Sequence, residues 1–416
     1  MPQTIMELPG KCTGCGACYG VCKEKAIRYQ LNEKGFYEAE LNEERCIRCG
    51  QCARVCYKNP VNRGSYDLRQ IKEVYAAQSR EKRVVKQSTS GGIAYELAKQ
   101  VLLNGGRVMG TGYNYESRRA ETVIIDHPEQ LKSLQGSKYL QSNTADNIQR
   151  LISEMEKDKE RNYIVFGTPC QIFGISKAAE MKHFRDRMLL VEVFCHGVPS
   201  YLLWDNYLSD QEKAGKISYK VNKVSFRDKR YGWGIYTLSV HSANKTVYST
   251  SDSCDFYKVY FDHIALHEAC FQCNLRKYES SADIRLGDFW GPRYANRKDG
   301  ISAVVILSER GYNLWNQVHS KLAIYGKHKI SECINYQSTH NYYVNNSQMK
   351  LFYQLINENR LSLKSIRRQY RKGFSRKKRM VLFLKDLVSQ LPIPIKVLLK
   401  KVLNRLNYKG KISDEG

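Results

Sequence analysis

Cys12-Thr13-Gly14-Cys15-Gly16-Ala17-Cys18-Tyr19-Gly20-Val21-Cys22 and Cys46-Ile47-Arg48-Cys49-Gly50-Gln51-Cys52-Ala53-Arg54-Val55-Cys56 share one spacing, C-x2-C-x2-C-x3-C. This internal repeat predicts two 4Fe-4S clusters. Three thiolates on a tight loop hold three irons of a cubane, and the fourth cysteine reaches out to the partner cluster. The implied ligands are Cys12, Cys15, Cys18 and Cys56 for one cluster, with Cys46, Cys49, Cys52 and Cys22 for the other. Gly14, Gly16, Ala17 and Gly50 are small where backbone amides must turn toward sulfide. Zinc is the alternative, but zinc pairs rarely form two four-cysteine runs of identical spacing.

Over residues 9–60 these runs resemble the bacterial dicluster ferredoxin module, departing from it at Lys23 and Tyr57, where that family has proline after the last cysteine. The remainder is far more than an appendage. A chain of 416 residues with 42% hydrophobic side chains can bury further cores, which excludes disorder as a whole. Fourteen cysteines in a chain this long point to metal or redox chemistry rather than a disulfide scaffold. Met1 to Gly10 carries neither a basic start nor an apolar stretch, and no run reaches the ~18 apolar residues of a membrane span. A cytoplasmic location is expected. The formal net charge is +26, which calls for anionic ligands or partners. Sixteen of the cations, against three carboxylates, fall in 361–416, so the body is only moderately basic.

The first domain is expected at 1–60, followed by a polar linker with one short helix at 61–86 and a second domain at 87–350. Ser88-Thr89-Ser90-Gly91-Gly92 precedes Ile93, Ala94, Leu97, Ala98, Val101 and Leu102, spaced as one helix face that Asn104-Gly105-Gly106 closes. Short apolar runs at 107–112, 122–126, 163–167 and 188–195 alternate with helical patterns at 147–156 and 201–208. That rhythm predicts an α/β sheet with parallel strands. Strand-like segments from Lys223 to Thr250, turning at Asp228-Lys229 and Ala243-Asn244, predict an antiparallel addition, and 284–289 and 303–307 read as further buried strands.

Cys170 and Cys195 each follow a predicted strand, and the carboxyl ends of parallel strands share one edge where ligands bind. Cys270-Phe271-Gln272-Cys273 offers a C-x2-C loop that can complete a four-thiolate site, with buried unpaired cysteine as the alternative. Six motifs in order over roughly 85–350 resemble the coenzyme F-420 hydrogenase/dehydrogenase β-subunit family. They are Thr89-Ser90-Gly91-Gly92, Gly136-Ser137-Lys138-Tyr139, Gly167-Thr168-Pro169-Cys170-Gln171, Phe194-Cys195-His196-Gly197-Val198-Pro199, Cys270-Phe271-Gln272-Cys273 and Gly287-Asp288-Phe289-Trp290-Gly291. The resemblance implies FAD and a third 4Fe-4S cluster on Cys170, Cys195, Cys270 and Cys273. It also implies an α/β flavin-binding domain behind the α+β ferredoxin-like one.

A helix N-terminus after Ser90-Gly91-Gly92 suits a flavin diphosphate, an ordinary N-cap being the alternative. By resemblance Thr89 joins it, Lys138 and Tyr139 add charge and stacking, and Ser142 adds a hydroxyl. Phe226-Arg227-Asp228-Lys229-Arg230-Tyr231-Gly232-Trp233-Gly234 looks like the branch of the family found in bacterial surface-polysaccharide gene clusters, which implies an anionic sugar-type substrate in place of F-420. A solvated hairpin turn is the plainer reading. Arg227, Asp228 and His196 are the catalytic candidates, His196 as proton donor or as a hydrogen bond to cluster sulfide, with a structural histidine equally open.

The tail, 351–416, has two helical stripes: Met380, Phe383, Leu384, Leu387, Val388 and Leu391, then Ile395, Leu398, Leu399, Val402, Leu403 and Leu406. Cations at 376–379, Lys396, Lys400, Lys401 and Arg405 surround them, a pattern that suits an anionic membrane surface on the inner face, or helices packed on the body or a partner. No nucleic-acid motif accompanies the charge. The expected activity is an iron-sulfur flavoprotein oxidoreductase linking ferredoxin or another low-potential donor to an organic two-electron acceptor. The rivals are an electron-transfer subunit without its own substrate and a membrane-docked scaffold.

Overall fold

In the computed structural model, which describes residues 2–62, 64–358 and 360–399, the two cysteine runs flank an antiparallel hairpin of β1 (Ile27–Leu31) and β2 (Tyr37–Leu41). Each run closes on one short helix, Ala17–Val21 or Gln51–Arg54. Gly16 at φ 77° and Gly50 at φ 76° lead into them. Glycine occupies this left-handed region without steric cost, so the repeat in sequence becomes a repeat in backbone.

The second domain is built on β3 (Val74–Ser79), β4 (Arg107–Asn114), β5 (Arg119–Ile125), β6 (Tyr163–Gly167) and β7 (Met188–Val193), and continues through β8 (Val221–Ser225), β9 (Thr237–Ser242), β10 (Lys245–Thr250), β11 (Ile284–Asp288), β12 (Ser302–Ile306) and β13 (Leu322–Lys327). Among the described residues its main sheet has the order β13-β3-β12-β11-β7-β6-β4-β5. The four strands β4, β6, β7 and β11 run parallel, as the alternating pattern predicts. Antiparallel strands extend both sides. The expected antiparallel addition is a separate three-stranded sheet, β10-β9-β8. Its tight turn at Ala243-Asn244 is there, whereas the chain between β8 and β9 is a long loop.

Two boundaries differ from the sequence reading. The segment 61–86 is not a free linker: besides the helix Lys82–Gln87 it supplies β3, whose Ala76 and Ala77 are fully buried between β13 and β12. Small alanines and a glutamine lack the branched side chains that mark a strand. The tail also begins later than 351. Helices Asn346–Asn357 and Leu363–Arg371 place Phe352, Ile366 and Tyr370 in the same core as Trp204 and Phe256. The helix Arg376–Ser389 follows with no buried residue. Val402, Leu403, Leu406, Lys400, Lys401 and Arg405 lie outside the described residues.

The first domain docks on the second through glycine. A Cβ on Gly174, in the helix Pro169–Met181, would stand 2.5 Å from the Ala17 Cβ and 3.3 Å from Cys15 Sγ. Thr144 Oγ1 donates to the Cys15 carbonyl at 2.8 Å, and Lys11 and Lys34 pair with Glu268 at 3.1 and 2.7 Å.

Candidate functional site

The thiols gather in three groups. The buried Cys18 thiol lies within electrostatic reach of Cys15, Cys12 and Cys56, and burial pushes the Cys56 thiol up to about 12. Cys52 lies within reach of Cys22 and Cys46, and Cys49 stands exposed in the same loop. Cys18 also lies within reach of Cys52, so the two groups adjoin, and each run's fourth cysteine stands near thiols of the other run. Gly14 N–H donates to Cys12 Sγ at 3.3 Å and Arg48 N–H to Cys46 Sγ at 3.4 Å, the same residue offset in both repeats.

The parallel pairing of β6 and β7 puts the start of the helix Pro169–Met181, which holds Cys170, beside the loop holding Cys195. Cys170 lies within reach of Cys15, Cys273 and Cys195, and Cys270 within reach of Cys195 and Cys273, so the four expected thiols meet and adjoin the first group. Gly197 N–H donates to Cys195 Sγ at 3.3 Å, repeating the offset seen in the first domain. Two buried cations brace the C-x2-C loop and the segment after it, Arg276 donating to the Cys270 carbonyl. Arg285 donates to the carbonyls of Leu275 (2.9 Å) and Glu279 (2.8 Å) and pairs with buried Glu192, its register partner across β7 and β11. Arg276 donates to the His340 carbonyl at 2.9 Å and stacks 3.9 Å from the Tyr342 ring. Burial pushes Cys195 up to about 11, and the amide of Gly197 and these two cations oppose it. Such amides and cations fit thiolates carrying a cluster. Among the described residues no three His, Cys, Asp or Glu groups converge on a single metal ion, and the thiolates of a cubane bind separate irons and need no such convergence.

Beside Cys195 lies a cavity of about 370 Å³ within the size range of cofactor sites. Thr89, Ser90, Gly92, Lys138, Tyr139 and Ser142 line it together with Cys195 and His196. Gly92, at φ 85°, opens the helix Ile93–Leu103, whose first amides have no intrahelical partner. Gly91 serves packing instead: its N–H donates to Ser302 Oγ at 2.9 Å, and a Cβ there would meet the Ala77 carbonyl at 2.4 Å. The Lys138 ammonium donates to the carbonyls of Ser133, Leu134 and Gln135 at 3.0–3.3 Å, which caps the preceding helical turn rather than presenting free charge. Thr89 accepts from Ser137 N–H at 2.7 Å, and Ser142 Oγ accepts from Gln171 at 2.8 Å. An apolar-walled pocket at a helix N-terminus fits a flavin, whose diphosphate suits those amides.

The family model described as coenzyme F420 hydrogenase/dehydrogenase, beta subunit N-term matches residues 74–149, and its C-terminus counterpart matches 160–330, so together they span more than half of the chain. The chain belongs to this beta subunit family. A 4Fe-4S dicluster domain model matches residues 11–59. Among curated relatives, the coenzyme F420-dependent sulfite reductase of Methanocaldococcus jannaschii is 25% identical over 319 residues, 75% of this chain and 46% of that protein. The chain thus spans about half that relative's length. Ferredoxin-3 of Nostoc sp. is 40% identical over 63 residues, 12% of this chain and 65% of the ferredoxin. A chain of the F420-reducing [NiFe] hydrogenase complex from Methanosarcina barkeri aligns at TM-score 0.45 and 17% identity, over 76% of this chain and 96% of that one.

In this member of the beta subunit family the segment 226–234 is not a solvated hairpin. Phe226, Arg227 and Trp233 are buried. Arg227 pairs with Asp288 at 3.1 Å, donates to Tyr139 OH at 3.0 Å and lies 3.9 Å over the Tyr236 ring. Trp233 donates to Asp288 at 2.6 Å and stacks on Trp290 at 4.8 Å. Arg227 does not line the cavity; it acts through Tyr139 and Asp288, which do. Asp228 does not reach the cavity either. It accepts from Arg230 N–H at 2.9 Å and Ser239 hydroxyl at 3.2 Å, which shapes its own turn. His196 lines the cavity, its ring bonded to Ser338 (2.8 Å), Tyr342 (3.1 Å) and His263 (3.0 Å), and burial first, then nearby cations, hold it down at about 3. It is neutral at ordinary pH. Sequence reasoning missed Asp288 and Trp290 as site residues although their motif carried the resemblance, and had no signal for His263 or Tyr342. No helix among the described residues is long and apolar enough to cross a membrane.

Proposed function

We propose that this chain is an iron-sulfur flavoprotein oxidoreductase that carries electrons between a low-potential donor such as ferredoxin and an organic two-electron partner. The supporting observation is the thiol succession: the second run near the surface, the first run inside, then Cys170 within reach of Cys15, then Cys195 on the cavity wall. Bound there, 4Fe-4S clusters supply one-electron carriers and FAD the conversion to two-electron chemistry. The chain's own part is to hold these groups in order, to turn amides toward sulfur, and to keep Tyr139 and Asp288 fixed through Arg227. Neutral His196 retains one ring proton that it shares within its network.

The acceptor reading is F-420 or an anionic sugar-type substrate of surface polysaccharide synthesis. It rests on a basic groove of about 1690 Å³ that shares the loop at 135–138 with the cavity as a lining wall. A second reading, an electron-transfer subunit with no substrate of its own, is favoured by the matching family models, which describe a beta subunit. Anaerobic reconstitution tests both. About 12 iron and one FAD per chain are expected, with reduced ferredoxin driving reduction of F-420 or a nucleotide-sugar. Dye reduction alone points to the subunit, and about 8 iron without flavin sinks the assignment of the second domain.

A further inference from the structure

A surface helix of a globular protein normally buries its apolar stripe and shows its charges. The helix Arg376–Ser389 does the reverse. Its inner side is mostly polar, with Leu382 alone packing on the core: Asp386 meets Lys258 at 3.1 Å, Arg367 at 3.4 Å and Arg371 at 2.9 Å, and Lys378 sits 3.7 Å over the Phe374 ring. Its other apolar residues face out, with Met380 61%, Phe383 62%, Leu384 54% and Leu387 46% exposed. The segment 393–399 continues the pattern: Lys396 is tied to Asp252 at 2.6 Å while Ile395, Leu398 and Leu399 are exposed. Salt bridges therefore fix the stripe in an outward orientation.

The surroundings of the stripe identify its occupant. Arg376, Lys377, Arg379 and Lys385 flank it, and among the described residues none is paired with a carboxylate. Val397 of the tail stands on the wall of the basic groove, which twelve lysines and arginines line against two carboxylates, Asp228 and Asp299. Several of those cations, Arg80, Lys82, Arg83, Lys86 and Lys132, are exposed and likewise without a carboxylate partner among the described residues. A second copy of the chain would bring like charges together across a twofold contact. An anionic bilayer satisfies both features, since it takes an apolar stripe below its head groups and cations at them.

We propose that the Arg376–Ser389 helix and segment 393–399 lie in the interface of an anionic bilayer, and that the exposed cations Arg80, Lys82, Arg83, Lys86 and Lys132 of the adjoining groove meet phosphate-bearing lipid head groups there, leaving the groove's interior to the acceptor. The test is sedimentation of the full, cofactor-loaded chain with vesicles of phosphatidylcholine alone or mixed with phosphatidylglycerol. Two triple variants are compared, Phe383→Ser/Leu384→Ser/Leu387→Ser on the stripe and Lys82→Gln/Arg83→Gln/Lys86→Gln in the groove. All six side chains are exposed or at the surface, and unchanged iron content and circular dichroism verify the fold. Binding to the mixed vesicles is expected, at least about tenfold weaker for the stripe variant. The groove variant should bind on the order of 100-fold more weakly, from about fivefold per cation. Equal binding to the uncharged vesicles, no binding at all, or a groove variant that binds like the parent overturns the proposal. So does a dimer that the stripe variant dissociates without any vesicle binding. The readout needs no turnover, so a failure of the redox reading leaves it intact.

Discussion

At Gly174 one hydrogen in place of a methyl group decides how near the two domains come. Alanine would gain up to ~1 kcal/mol of helix propensity, but its Cβ would sit 2.5 Å from that of Ala17. Overpacking of that kind costs ~1–3 kcal/mol, so Gly174→Ala is expected to lower stability and slow electron passage between the domains. Thermal melts and stopped-flow reduction measure the two effects. Cys56 and Cys22 make a second residue-scale test. Because Cys56 keeps company with Cys15 and Cys12 while Cys22 neighbours Cys52, each serine variant should disturb the signal of the cluster named for the opposite run. Paramagnetic resonance of the two variants checks the exchange, and a loss confined to each residue's own run refutes it. Arg227→Met leaves the partly exposed Asp288 without its cation; breaking a fully buried pair costs ~3–5 kcal/mol, so a smaller loss is expected, and chemical denaturation is the readout. The sequence displayed eight ligand candidates through their spacing, and the resemblance supplied Cys170, Cys195, Cys270 and Cys273. The sequence did not show that Arg227 and Asp228 stand on the wall of the basic groove rather than in the cavity beside Cys195, because a polar run read one-dimensionally hides that its aromatic members pull the arginine inward.

Among elements, the parallel strands and the glycine-opened helix were legible because apolar period and turn chemistry agree there. Strand Val74–Ser79 was not, since burial between two neighbours substitutes for branched side chains. The helix Leu363–Arg371, with four cations, carried enough charge to read as tail, although long-range packing of Ile366 and Tyr370 in the core of Trp204 decides its place. The Arg376–Ser389 helix rests largely on Asp386. Burial would raise that carboxyl, but the hydrogen bond from Lys258 and the charges of Arg367 and Arg371 outweigh it and hold the group below its ordinary value. A depressed carboxylate stabilises fully above its unfolded pKa of about 3.9 and loses that contribution as pH falls through the lower folded value. Hydrogen exchange over 376–389 should therefore stay protected at neutral pH and rise in strong acid. Asp386→Asn should release the helix at neutral pH, and unaltered protection in that variant refutes the tether.

Across the whole molecule the most exposed thiol belongs to the second run. Cys49 is exposed and its neighbour Ile47 is 66% exposed, while Cys15 and Cys18 are buried and Cys170, partly buried, lies within reach of Cys15. Oxygen meets the outermost group first. Brief air exposure should then strip about four iron from the Cys46-Cys49-Cys52-Cys22 set, leaving the inner groups reducible by a small dye yet cut off from a protein donor. Timed iron release alongside the two assays would reveal that order. The outermost loop would thus behave as a fuse, failing early and disconnecting the interior before a half-reduced centre could leak electrons to oxygen.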